Sequence, residues 1–111
     1  MALELVLLSE VPLTEEVLHR AYKRLGMTGE MLDWLDGQVS TLHDETGRHV
    51  LTVHAPMVIH DAREAAAALV DPPGAFGLWS DIMVPFDNTE KGRAVAEAIA
   101  TEIGGLIRER I

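Results

Sequence analysis

Asp61-Ala-Arg-Glu64 and Asp87-Asn-Thr-Glu90 are the stretches whose reading decides the fold. Each opens on an aspartate that can cap a helix, carries a glutamate three residues on, and follows a strand-like apolar run. Together they predict alternating strands and helices through the second half of the chain. Asp61 predicts a short alanine-rich helix to about residue 69, stopped by Asp71-Pro72-Pro73-Gly74. A strand is expected within 76–86, centred on 81–86, with Trp79 near its start. Asp87 then predicts a last helix with a stripe of Ala94, Val95, Ala98, Ile99, Ile103 and Leu106. Gly104 and Gly105 weaken that helix near its end, so residues 106–111 are expected to extend it or to fray.

Working back towards the N-terminus, residues 2–8 are apolar at nearly every position, as in a strand covered on both faces. Thr14 is placed to cap a helix over about 14–25, with Leu13 and Leu18 as a hydrophobic staple and Gly26 as its stop. Val17, Leu18, Ala21, Tyr22 and Leu25 form its apolar stripe. Residues 27–37, bracketed by Gly29 and Gly37, read as a connecting turn whose Trp34 packs over a core edge. A hairpin follows, with Val39–His43 running out and Arg48 to Ala55 returning around Asp44-Glu45-Thr46-Gly47. A two-residue Thr46-Gly47 turn sets Leu42 opposite Leu51, whereas a four-residue turn shifts the register by two and leaves the facing unchanged. Strict alternation then puts Leu42, Leu51 and Val53 on a core face and Val39, Thr41, His43, Val50, Thr52 and His54 on the other.

The element order β-α-β-β-α-β-α corresponds to an α+β, ferredoxin-like βαββαβ sandwich. It would have an antiparallel four-stranded sheet and an additional C-terminal helix, in a single domain over residues 1–111. At 111 residues and 12.2 kDa there is little room for a second core. No cysteine is present, which excludes disulfides, thiolate metal sites and thiol nucleophiles. A small domain without such staples relies on packing and often on oligomerisation.

Nine basic residues against 18 acidic ones give a formal charge of -9. That field disfavours phosphate backbones and anionic membrane surfaces, so neither nucleic acid nor membrane is an expected partner. The opening run Met1-Ala2-Leu3-Glu4-Leu5-Val6-Leu7-Leu8 has no basic leader, and no apolar run approaches the ~20 residues that span a bilayer. A cytoplasmic location is expected.

Catalytic signatures are weak. Gly26-Met-Thr-Gly29 follows a helix rather than a strand, so it is not a phosphate cradle. Ser80 stands in no nucleophile elbow. Five histidines invite a metal reading, but alternation sends His49 through the face opposite His43 and His54. His43 and His54 would stand roughly 13 Å apart along the ladder, too far for one ion. A site would need a distant contribution from Glu4, Asp81 or another subunit, and no cofactor is expected.

The second sheet face is the most informative surface. In the expected fold the helices cover one face, leaving Val39, Thr41, Val50, Thr52 and His54 on the open one. Such a face is too apolar for easy solvation, so either a partner meets it or the final helix folds back across it and completes the monomer. The expectation is therefore a non-enzymatic homodimer or protein-interaction domain that uses this face or the last helix. The other expectation is a small-ligand-binding protein or cofactor-independent enzyme. Its apolar pocket would lie between sheet and helices, with His43, His54 and Trp79 as ligand-binding residues.

Overall fold

The computed structural model describes residues 2–74 and 76–111, without the side chain of Ala2; the Met1 of the opening run lies outside them. The chain is an α+β protein built on one antiparallel sheet. Its strands are β1 (Ala2–Ser9), β2 (Met31–Trp34), β3 (Val39–His43), β4 (His49–His54), β5 (Met57–Val58), β6 (Leu78–Pro85) and β7 (Leu106–Glu109). Its helices are α1 (Glu15–Arg24), α2 (Ala62–Ala66) and α3 (Thr89–Ile103). The strands lie in the order β2-β3-β4-β6-β1-β7, with β5 beside β6.

The four-stranded ferredoxin-like arrangement is therefore corrected. Seven strands are present among the described residues, and β6 stands between β4 and β1. A split βαβ would have made β1 and β4 neighbours. Here α1 is followed instead by a β2-β3-β4 meander, whose successive strands pair directly. Residues 31–34, expected as a turn, form the edge strand β2, because Met31 to Trp34 pair with Leu42 to Val39. Residues 106–109, expected as helix or frayed tail, form the strand β7 against β1. Gly104, at φ 65, ends α3 in the left-handed conformation and turns the chain back to the sheet.

Local signals hold at two helix starts. Thr14 Oγ1 accepts from Val17 N at 3.4 Å, and Asp61 Oδ1 accepts from Arg63 N and Glu64 N. Asp61 starts a helix shorter than expected, since α2 ends at Ala66. Asp87 does not cap α3. A 3-10 turn over Phe86–Asn88 intervenes, and the Asp87 carboxylate faces Arg48 Nη2 at 3.4 Å instead.

Two cores flank the sheet. The larger joins Leu5, Leu7, Leu42, Leu51, Val53 and Ile82 to the inner faces of α1 and α3. Each large aliphatic side chain fully buried there contributes about 1.5–3 kcal/mol. On the opposite face Val6, Leu8 and Trp79 pack against Leu69 and Phe76, with Ala62, Ala65 and Ala68 at the margin. The expected single covered face thus becomes two. α1 and α3 cover one face, while α2 and the following segment roof the β6-β1-β7 part of the other.

Candidate functional site

What remains uncovered is the outer face of β2, β3 and β4, with the adjoining part of β6. The register follows Leu32↔Thr41, Trp34↔Val39, Thr41↔Thr52, Val39↔His54 and Thr52↔Met83. Side chains alternate across a sheet, so these residues share one face. Leu32, Trp34 and Met83 remain 39%, 53% and 38% exposed. The expected packing of Trp34 over a core edge is corrected, because it belongs to a strand rather than a turn. Its indole lies on the uncovered face and donates from Nε1 to Thr41 Oγ1 at 3.0 Å. Strands β2 to β4 carry a single carboxylate, Asp33, which accepts from Ser40 Oγ at 2.8 Å on the other face. In a molecule of charge -9, this face sets Leu32, Trp34, Val39 and Met83 among Thr41, Thr52 and His54. It carries no acid from those three strands, and Glu4 and Asp81 stand only at the Met83 edge.

The hairpin between β3 and β4 departs from strict alternation. Leu42 pairs with Leu51, as in one of the two expected registers, but His43 pairs with His49 around a turn longer than two residues. Val50 is the extra residue of a β-bulge. Val50 and Leu51 both enter the larger core as a consequence. The placement of Val50 on the open face and the pointing of His49 through the opposite one are both corrected. One inserted residue reverses the facing of everything beyond it. The rings of His43 and His49 now lie 5.8 Å apart between centroids, inclined by 47°. His49 Nε2 is 2.9 Å from Thr52 Oγ1, and His43 Nδ1 is buried without a hydrogen-bond partner.

The helical layer fixes the backbone beneath both rings. Tyr22 Oη donates to the His43 carbonyl at 2.7 Å, and Asn88 Nδ2 donates to the His49 carbonyl at 3.2 Å. A side chain at Gly29 would collide with the backbone of His43 and Asp44, so glycine is required at this approach. Asp44 anchors the turn. Its Oδ1 accepts from Thr46 Oγ1, Thr46 N and Arg48 N at 2.6, 2.9 and 3.0 Å, while Oδ2 meets Lys91 Nζ at 3.2 Å. The Thr46 hydroxyl, with support from the Arg48 amide, Lys91 and the Thr46 amide, holds this carboxyl well below the usual range despite its burial. Burial first, then the Asp44 and Glu45 carboxylates, pushes the Tyr22 phenol up to about 12. These groups make a rigid turn.

The three residues singled out for ligand binding are dispersed. His43 stands at the turn end of the hairpin. His54 ends β4 and lines a cleft of about 100 Å³ with Glu4, Asp81, Met83 and Arg110. Trp79 is buried in the second core, donates from Nε1 to Asp81 Oδ1 at 2.9 Å, and lies beneath the Arg110 guanidinium at 5.6 Å. Asp81 thus connects Trp79 to the cleft that His54 borders, and His43 is not part of it. The residue missed by the sequence reading is His49. Its signal was the adjacent apolar pair Val50-Leu51, which breaks alternation inside a strand.

No family model matches the chain, and neither a curated protein nor a solved structure resembles it significantly. Among the described residues no helix is long and apolar enough to cross a membrane.

Proposed function

We propose that the protein is a non-enzymatic interaction domain that self-associates through the uncovered outer face of β2, β3 and β4. The observation that carries this reading is the combination of exposed Leu32, Trp34 and Met83 with strands whose one carboxylate, Asp33, lies on the opposite face. Two chains of charge -9 repel over most of their surfaces and meet at least cost where acids are fewest, here with Glu4 and Asp81 confined to the Met83 edge beside Arg110. The last helix offers no comparable surface, since Val95, Ala96, Ile99 and Ala100 are already buried. A pocket-based reading has less support. The cleft beside His54, at about 100 Å³, is smaller than the roughly 300–1,000 Å³ typical of small-molecule sites. The hollow of about 680 Å³ beside His43 is lined by Glu30, Asp44, Glu45 and Thr46 rather than by the apolar wall such a site would need.

Light scattering across a dilution series tests this, with wild type compared to Trp34→Glu and Met83→Glu. A wild-type dimer that both substitutions convert to monomer is the expected result. Added salt should favour the dimer, because the repulsion between acidic surfaces is screened over about 10 Å at 0.1 M and about 3 Å at 1 M. A wild type that stays monomeric at high concentration and high salt would overturn self-association.

A further inference from the structure

We propose that His43 and His49 form a two-imidazole chelate for a borderline divalent transition-metal ion, of the class of Zn²⁺, Ni²⁺ or Cu²⁺. The inference does not depend on self-association. The first observation is the bulge. Val50 adds one residue to β4, and that insertion alone brings His49 to the face of its cross-strand neighbour His43. Bulges commonly re-aim a side chain beside a functional site.

The second observation is distance. An imidazole bound at about 2.0–2.1 Å from zinc places its centroid roughly 3.2 Å from the ion, so two rings on one ion keep their centroids within roughly 6.4 Å. The observed 5.8 Å satisfies that limit.

The third is the state of the ring nitrogens. His49 Nε2 is 2.9 Å from Thr52 Oγ1. If Nε2 carries the proton and donates to that oxygen, Nδ1 keeps its lone pair. This is the tautomer-fixing arrangement that orients metal-binding histidines. His43 Nδ1 is buried without a partner, an uncompensated cost that a Lewis acid would relieve. The hydrogen bonds from Tyr22 and Asn88 to the two main-chain carbonyls hold the pair in place.

Imidazole suits zinc, copper and nickel, whereas magnesium and calcium take oxygen ligands. Among the described residues no group of three histidines or carboxylates converges, so the protein supplies two donors and water completes the shell.

The test is a titration of the full chain with Zn²⁺ and with Ni²⁺, followed by calorimetry and by the rise in unfolding temperature. One ion per chain is expected, with a metal-dependent thermal shift. His49→Ala and His43→Ala should each weaken binding by at least about tenfold, and Thr52→Val by about tenfold through loss of the orienting oxygen. His54→Ala and His60→Ala should leave it unchanged. Each variant is compared with and without metal, so a lower intrinsic stability does not obscure the readout. Absence of binding in the wild type would overturn the assignment, as would equal binding in His49→Ala or a loss caused equally by His54→Ala.

Discussion

The Tyr22 hydroxyl donates a 2.7 Å hydrogen bond to the main-chain carbonyl of His43, 21 residues further along the chain. A helix of the main core is thereby tied to the strand end that carries the histidine pair. Tyr22→Phe leaves that carbonyl unpaired and should cost about 1–3 kcal/mol, read as a lower denaturant midpoint with an unchanged slope. An unchanged midpoint would mean that water replaces the phenol.

The same tyrosine sets an alkaline limit. Its folded pKa of about 12 stands above the ordinary 10.0, so the folded state holds the proton more tightly than the unfolded chain. Its contribution is fully present below pH 10, declines as pH rises between 10 and 12, and is lost beyond. Wild type should lose stability across that window more steeply than Tyr22→Phe. Parallel curves for the two proteins would contradict the assignment.

Asp44 acts at the other end of the scale. Its folded pKa lies below the ordinary 3.8, so its contribution is present above that value and is lost as pH falls through the folded one. Asp44→Asn should be less stable than wild type at pH 7, and the difference should narrow as both are acidified below pH 4. Chemical denaturation at a series of pH values measures it. A difference that stays constant with pH would refute the charge-based account.

Gly92 separates helix propensity from packing. Alanine in an exposed helix interior gains about 1 kcal/mol over glycine. Here an added methyl would collide with Val84 and come within 2.7 Å of the Val50 carbonyl. Packing is expected to win. Gly92→Ala should destabilise by about 1–3 kcal/mol, the range for overfilled cores, and a thermal melt decides the sign.

Leu35 is expected to improve on replacement. It holds φ 52 at the β2–β3 turn while 70% of its surface is exposed. A leucine there sacrifices backbone comfort for no buried contact. Leu35→Asn, followed by Asp36 and Gly37, should raise stability by about 0.5–1 kcal/mol, because asparagine tolerates the left-handed region. A fall in the unfolding midpoint would show that Leu35 makes a contribution beyond turn geometry.

The elements governed by neighbours in sequence were legible from the residues alone. Thr14 and Asp61 cap helices because a short polar side chain reaches amides two or three residues away, whatever the rest of the chain does. That β3 and β4 form a hairpin was legible too, although its register was open between two turn lengths until the bulge settled Leu42 opposite Leu51. Elements defined by distant partners were not legible. Residues 31–34 and 106–109 have too few residues to declare a period, and each becomes a strand only because β3 or β1 offers an edge. The sheet order depends on which strand β6 joins, a choice between competing pairings of similar local character. The histidine pair was hidden for a related reason. Sequence by itself determined the Thr14 and Asp61 caps, the stripe Val17, Leu18, Ala21 and Tyr22 of α1, and the existence of the β3–β4 hairpin. It did not determine the start of α3 or the whole of its stripe, since Ala94 is exposed and Leu106 lies in β7. Tertiary packing decided that Val50 turns into the core, and that single bulge reverses the strand beyond it and sets His49 beside His43.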